Sequence, residues 1–287
     1  MTLVSVVVPV FNQQEFIGEA LHSIFGQSFR DFEIVVVDDG STDETPAILA
    51  RYGKDIRVLR QPNRGGAAAL NAGVRAARGE WIAWLSADDA WEPSKLEEQV
   101  NALGQSPDAG LVYTDYVYID SAGKILSREH FPCPVPRWRR LIWLARRCYI
   151  NGSSTLIRKD AFANVGLYDE SDRLTPDWDL FLRIARKYNI VHVPEPLVRY
   201  RIHGGQTSAR RDLMERSSRR VFSRNARRLG PALGALVATL GLIKQVRSLP
   251  AFIRRSVGHN RSFVRQFKDL LEWLVILVNP ETLRAPG

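Results

Sequence analysis

Two apolar runs, each closing on paired aspartates, constrain this chain more than any other feature. One is VVVDDGSTD, from Val35 to Asp43, and the other is WIAWLSADD, from Trp81 to Asp89. A short unbroken run of Val, Ile, Leu and Trp suits a strand covered on both faces, as in a parallel sheet. Carboxylates that follow such strands fall on the rim where open α/β sheets hold their ligands. The neighbouring sequence agrees. Strand-like segments at Leu3–Phe11, Phe32–Val37, Ile56–Arg60 and Trp81–Leu85 alternate with helix-like segments at Gln13–Gly26, Thr45–Tyr52, Gly65–Ala77 and Pro93–Leu103. In the first helix Phe16, Ile17, Ala20, Leu21 and Ile24 recur at helical spacing. Ser41, Thr42 and Asp43 are capping candidates for the second, with Pro46 in its first turn. The βαβαβαβ order predicts a doubly wound, mainly parallel α/β sheet.

After Gly110 the pattern changes. Leu111–Ile119 and Lys124–Leu126 read as a hairpin about Ser121-Ala122-Gly123. The stretch from Phe131 to Arg147, rich in Pro, Trp and Arg, reads as a loop leading into a helix. Ser154–Ile157, Ile190–Val193 and Leu197–Ile202 read as short strands, with an amphipathic helix at Trp178–Lys187. From Arg210 onward the chain looks helical and basic. The expected division is residues 1–208, with halves at 1–110 and 111–208, followed by a helical C-terminal extension at 209–287.

With 287 residues, 45% of them hydrophobic, the chain can bury a full core. Its two cysteines, Cys133 and Cys148, lack a CxxC spacing, which argues against a disulfide framework and fits a reducing cytoplasm. Met1 leads into a strand-like run without a basic leader, so no signal peptide is expected. The net charge of +9 is uneven: up to Val198 there are 22 Lys/Arg against 26 Asp/Glu, and from Arg199 there are 18 against 5. Such a tail suits an anionic membrane surface, and solvated helix faces are the plain alternative. The acidic N-terminal region argues against a nucleic-acid binder. Leu233–Ile243 is too short to span a bilayer, which needs about 20 residues. Phe263–Val278 interleaves apolar residues with Arg265, Lys268 and Asp269. It can lie in a membrane interface, pack as a bundle helix or form a homodimer contact.

Two carboxylate clusters on one rim suit a nucleotide on one side and a divalent cation on the other. Mg²⁺ or Mn²⁺ takes oxygen ligands, often one or two carboxylates plus phosphates and water, and Asp88 and Asp89 offer them. An Asp pair in a turn also serves as a cap. Sugar transfer from a nucleotide diphosphate needs both a counter-charge for the leaving diphosphate and a base for a weakly nucleophilic acceptor hydroxyl.

VSVVVPVFNQQEFIGEAL, VVVDDGSTDET, NRGGAAALNAGVRAARGEWIAWLSADD, PDWDLFLRIA and VRYRIH, in this order, resemble a family 2 glycosyltransferase of the GT-A fold, over Leu3 to Ser208. The resemblance implies an inverting, metal-dependent single displacement that moves a sugar from a nucleotide diphosphate to a saccharide or lipid-linked glycan. It favours UDP, with dTDP or GDP as alternatives. By position it implies that Pro9, Phe11 and Asn12 line the nucleotide pocket, with Phe11 against the base. Asp38 receives a hydrogen bond from the base, Asp39 belongs to the same site, and Asn71 reaches the base or phosphate. The family's Asp-x-Asp motif reads Ser86-Ala87-Asp88, so Ser86 lies by the ribose, Ala87 belongs to the nucleotide site and Asp88 keeps the metal-ligand position. Asp177 matches the general base, with Pro176 where the family has Glu, and Asp179 braces the loop.

His203 is a candidate further ligand to metal or diphosphate, and Gly204-Gly205 a hinge beside it. Arg199, Arg201 and Arg210 are candidates for phosphates. Asn151-Gly152-Ser153-Ser154 resembles an acceptor-side segment facing the sugar. The reading is therefore a cytoplasmic enzyme of surface-polysaccharide synthesis, peripheral on the inner membrane face. A non-catalytic sugar-nucleotide binder or scaffold subunit is the alternative that Ser86 and Pro176 keep open. A glycoside hydrolase using Asp88 and Asp177 is weaker, because it needs neither a nucleotide pocket nor a metal.

Overall fold

The computed structural model describes residues 2–131, 133, 137–172, 174–206 and 211–228. The chain divides into two compact units, one of Met1–Cys133 and Tyr149–Ser217, the other of Pro134–Cys148 and Ser218–Gly287. The expected segments Leu233–Ile243 and Phe263–Val278 lie outside the described residues. Among the described residues, no helix is long and apolar enough to cross a membrane.

The first unit is built on a sheet of nine strands. β1 (Val4–Val10), β2 (Phe32–Asp38), β3 (Arg57–Arg60) and β4 (Trp81–Trp84) run parallel in the order β3-β2-β1-β4. The sheet continues through β8 (Thr155–Arg158), β6 (Ala109–Ile119), β9 (Asn189–Arg201) and β5 (Ala90–Trp91), while β7 (Ile125–Glu129) pairs with β6. In this second half β6 and β9 are parallel and the other pairings antiparallel. The helices are α1 (Ile17–Phe25), α2 (Thr45–Ala50), α3 (Gly66–Ala76), α4 (Lys95–Gly104), α6 (Lys159–Val165) and α7 (Pro176–Ala185). The second unit holds α5 (Arg137–Arg146), and α8 (Arg211–Arg228) begins in the first unit and ends in the second. This is the GT-A arrangement that the sequence predicts.

Three differences from the sequence reading have physical causes. Ile190–Val193 and Leu197–Ile202 join into the single strand β9, because Pro194, Glu195 and Pro196 are absorbed where the register against Thr114, Asp115 and Tyr116 shifts. The two-residue strand β5 and the seven-residue helix α6 are too short to show a period.

Register places the two acidic clusters together. Val10 lies opposite Asp38, and Val7 opposite Trp84, so the ends of β1, β2 and β4 share one rim. Alternate residues of β1 and β2 face two different layers. Val4, Val6, Val8, Ile34 and Val36 pack with Ile17, Leu21 and Ile24 of α1. Val35 and Val37 pack with Ala69 of α3. Helix α3 is rich in Ala and Gly because it lies very close to the sheet: a Cβ on Gly73 would sit 2.3 Å from Cγ1 of Val7. The β-branched Val7 cannot rotate away freely. Gly73→Ala is therefore expected to lose about 1–3 kcal/mol of stability in urea unfolding. Combined with Val7→Ala it should show a favourable coupling above about 0.5 kcal/mol, and strict additivity would contradict the contact.

Candidate active site

The loop after β1 is laced to the loop after β2. Asn12 has a left-handed backbone, φ 51°, a conformation Asn tolerates better than most residues. Its N–H donates to Ser41 Oγ at 3.0 Å, and its Oδ1 accepts from the Thr42 N–H at 2.8 Å. The Gln13 N–H donates to Thr45 Oγ1 at 2.9 Å and the Gln14 N–H to Asp43 Oδ2 at 3.1 Å. The polar DGSTD segment thus fastens the neighbouring loop, and of the three capping candidates only Asp43 reaches the first residue of α2, accepting from the Thr45 N–H at 2.9 Å. Partial burial raises the Asp43 pKa, but hydrogen bonds from Thr45 and Gln14 outweigh it and hold the carboxyl below its ordinary value.

Asp38, buried at the end of β2, accepts from the Ser41 N–H at 2.8 Å and lies 3.4 Å from Arg60 Nε. Phe11, just past β1, is 43% exposed, unusual for a large apolar ring. Asp39 and Asn71 have other work. Asp39 accepts from Gln61 Nε2 and from the Arg64 and Gly65 N–H groups at 2.7–2.9 Å, so it holds the entry to α3. Asn71 is buried, donates to the Tyr168 carbonyl and Glu170 at 3.0 Å, and accepts from the Tyr168 N–H. Both of its N–H groups are taken, which fastens α3 to the 168–170 loop.

After β4 the exposure alternates: Ser86 and Asp88 are partly open, Ala87 and Asp89 buried. Ala87 therefore packs inward, and the Ser86 N–H donates to Ser153 Oγ at 3.0 Å. Asp89 accepts from Ser153 Oγ at 2.6 Å and from the Arg201 N–H at 2.9 Å. Burial, reinforced by the charge of Asp88, pushes the Asp89 carboxyl well above its ordinary pKa despite those hydrogen bonds. Asp88 instead points outward, its Oδ2 3.1 Å from Nε2 of His203, whose ring leans on Phe16 at 4.8 Å. Neighbouring ligands of an octahedral ion with bonds of about 2.1 Å stand roughly 3 Å apart, so this oxygen and nitrogen fit one shared divalent cation.

Asp88 and His203 come together although they lie 115 positions apart along the chain; what joins them is β9, whose Arg199 pairs with Ala90 just past Asp88. His203 also lines a cavity of about 450 Å³ with Asn12, Phe16, Asp43, Ser121 and the Gly204-Gly205 pair. The other sequence candidates are engaged otherwise. Arg201 is not offered to a phosphate: its guanidinium is buried, donating to the carbonyls of Asp88, Asp120 and Ser121 and to Glu19. Arg199 pairs with Glu92 at 3.0 Å, and Arg210 lies outside the described residues. Gly152, Ser153 and Ser154 are buried rather than open to a sugar, with Gly152 pressed against Trp84. Glu19, Phe16 and Ser121 are not site candidates in the sequence reading, because only the folded chain brings them to Arg201 and the cavity.

Asp177 occupies the first turn of α7, behind Pro176, and its Oδ1 accepts from the Trp178 N–H at 2.9 Å. Burial raises its pKa to about 6, against the lowering effect of that hydrogen bond and with a further push from Asp172. The opposing influences of burial and hydrogen bonding thus resolve in favour of burial. Tyr168 connects this residue to the rim: its ring packs edge-on to Trp84 at 6.0 Å, and burial and the charge of Asp177 raise its phenol pKa. Asp179 pairs with Arg183 at 2.8 Å, and Arg183 grips the carbonyls of Val165, Gly166 and Leu167, so Asp179 does brace a loop.

Comparison with known proteins agrees with this geometry. Residues 5–165 match the model of glycosyl transferase family 2. An uncharacterized glycosyltransferase of Rickettsia prowazekii is 35% identical over 72% of this chain and 66% of its own length. The chondroitin synthase of Escherichia coli is 27% identical over 79% of this chain, which corresponds to 33% of that protein. The chain thus spans at most about two thirds of these curated relatives. Among solved structures, S. aureus TarS 1-349 in complex with UDP superposes with a TM-score of 0.64 at 17% identity, covering 92% of this chain and 78% of that one. The mannosyltransferase PcManGT of Pyrobaculum calidifontis, in complex with GDP-Man and Mn²⁺, gives 0.59 at 18% identity, covering 96% and 86%. With its sheet, its rim of carboxylates and its matched family model, the chain belongs to glycosyl transferase family 2.

Proposed function

We propose that the chain transfers a sugar from a UDP-sugar to a hydroxyl of a saccharide or lipid-linked glycan, with inversion, in surface-polysaccharide synthesis. The observation that carries this reading is the 3.1 Å approach of Asp88 to His203 at the edge of the cavity. The UDP and UDP-GlcNAc of the TarS complexes support UDP, the GDP-Man of PcManGT keeps GDP as an alternative, and the chondroitin synthase relative supports a polysaccharide product. Pro9, Phe11, Asn12 and Asp38 would hold the nucleotide, with the open Phe11 ring against the base and Ser86 by the ribose. Asp39 and Asn71 would serve that site by fixing α3 beside it. Asp88 and His203 would hold Mn²⁺ or Mg²⁺, which when bound neutralises charge on the leaving diphosphate.

Asp177 takes the proton from the acceptor hydroxyl. The hydroxyl oxygen forms a bond to the anomeric carbon from the face opposite the diphosphate, and the carbon–oxygen bond to the diphosphate breaks with its electrons staying on phosphate. A carboxyl with pKa about 6 suits this role, since it is mostly ionised at neutral pH yet a stronger base than an ordinary aspartate. The basic residues from Arg210 onward would bring the enzyme to an anionic membrane surface carrying the acceptor.

Titration calorimetry with UDP, GDP and dTDP tests the donor site. UDP should bind more tightly with Mn²⁺, and Asp88→Ala should remove the metal-dependent part, on the order of 10-fold or more. Metal-independent binding of every nucleotide would overturn the metal assignment. For the base, the rate at saturating substrate should fall tenfold per pH unit below about 6, and Asp177→Asn should abolish turnover while leaving nucleotide affinity within about twofold. The sign of the stability change is the reverse. The fold raises this carboxyl's pKa, so it favours the protonated form and loses stability as pH rises from about 4 through about 6. Asp177→Asn should accordingly melt about 2–4 °C higher at pH 8, equivalent to roughly 1 kcal/mol. Flotation with phosphatidylserine vesicles should retain the full chain and release a chain ending at Ser208, and equal retention would remove the tail from the proposal.

A further inference from the structure

We propose that Asp115, His130 and His192 form a second cation site, for a borderline ion such as Zn²⁺, apart from the Asp88–His203 pair. The two oxygens of Asp115 each face one imidazole. Oδ2 lies 2.6 Å from Nδ1 of His130, and Oδ1 lies 2.8 Å from Nε2 of His192. The three candidate ligand atoms all lie within 4.8 Å of one another. These residues come from β6, from the loop after β7 and from β9, so only the folded sheet assembles them.

The cluster is held ready by its surroundings. Asp115 stands where the β6–β9 register shifts, and such irregularities re-aim side chains. The Phe131 N–H donates to Asp115 Oδ1 at 2.9 Å, and the Phe131 carbonyl accepts from the Tyr113 hydroxyl at 2.8 Å, which fixes the backbone next to His130. The His192 ring stacks on Tyr113, centroids 4.8 Å apart and planes 20° from parallel. Supporting contacts of this kind orient metal-binding side chains. Asp115 and His192 are 4% and 9% exposed at the side chain, whereas His130 is 63% exposed. Two ligands are thus held among packed neighbours and the third can adjust on the solvent side.

The donor set decides the ion. Two imidazoles and one carboxylate suit Zn²⁺, Co²⁺ or Ni²⁺, whereas Mg²⁺ prefers oxygen alone. Tetrahedral Zn²⁺ with bonds of about 2.0–2.1 Å separates its ligands by roughly 3.3 Å, so the 2.6 Å contact to His130 must open by about 0.7 Å, a movement open to that exposed ring, and the 2.8 Å contact to His192 by about half an ångström. On binding, the proton each imidazole directs at Asp115 moves to the other ring nitrogen, and water completes the fourth position. His192 precedes Arg201 by nine residues on β9, roughly 25–30 Å along an extended strand. The ion would therefore fasten the end of the β6–β7 hairpin to β9 and leave the sugar-transfer rim to Asp88 and His203.

The test uses full-length, tag-free protein carrying Asp88→Ala, so that the rim cannot contribute its carboxylate. Zn²⁺ calorimetry and the visible spectrum of Co²⁺ should report one ion per chain with the intensity of a tetrahedral site. Zn²⁺ should also raise the melting temperature. Adding His130→Ala, an exposed position that the fold tolerates, should weaken Zn²⁺ binding at least about tenfold and remove the melting shift. Unchanged affinity in that variant, absence of Zn²⁺ binding in the Asp88→Ala protein, or equally tight binding of Mg²⁺ would each overturn the site. None of these outcomes bears on Asp88 as a ligand, because Asp88 is absent throughout.

Discussion

The rim is organised around one buried guanidinium. Arg201 donates through Nε to the Asp88 carbonyl, through one terminal nitrogen to the carbonyls of Asp120 and Ser121, and through the other to Glu19, while its face covers the Phe16 ring. Its own N–H holds Asp89. One side chain thus ties together β4's acidic turn, the turn of the β6–β7 hairpin, α1 and β9. A buried cation is tolerated only when paired and hydrogen-bonded, and here Glu19 supplies the charge and three carbonyls accept three further N–H groups. The same geometry divides the work of two adjacent aspartates. Asp89 faces inward, where it fixes the turn against Ser153 and β9, and Asp88 is left to face His203.

The two halves of the sheet contribute differently. The parallel strands β3-β2-β1-β4 line up their carboxyl ends by register, which brings Phe11, Asn12, Asp38 and Ser86 to one edge. The mixed half adds parts by long-range pairing: β9 delivers Arg201 and His203, and β8 follows the turn whose Ser153 supports Asp89. Asp177 arrives by a third route, from α7, where the turn before the helix is held by Asp172 accepting from the Leu174 and Thr175 N–H groups. Its raised pKa follows from burial, since the hydrogen bond from Trp178 alone would lower it.

The fold was legible in the sequence wherever a segment was long and periodic. The four parallel strands and α1, α3 and α4 declare themselves by unbroken Val/Ile runs or by helical spacing, because burial against neighbours on known faces imposes those patterns. Even the closeness of α3 to the sheet shows in its Gly and Ala content. The short β5 and α6 do not, and β9 was read as two strands, since the rule against Pro within a strand does not foresee a register shift that absorbs it.

For the site, the sequence by itself determined which chemical groups end each strand: Asp38 and Asp39, Ser86 to Asp89, Asp177 beside a Pro at a helix start, and a His after the last strand. Only the tertiary structure decided which of them are open to a ligand. Asp39, Asn71 and Arg201 carry the right chemistry for a nucleotide or phosphate, yet each has its polar atoms bound by backbone or neighbouring side chains. The physical reason is that a buried polar group must find partners inside the protein, and those partners come from segments far along the chain. Sequence spacing specifies the groups, while packing determines whether their hydrogen-bonding capacity faces inward to hold the fold or outward to do chemistry.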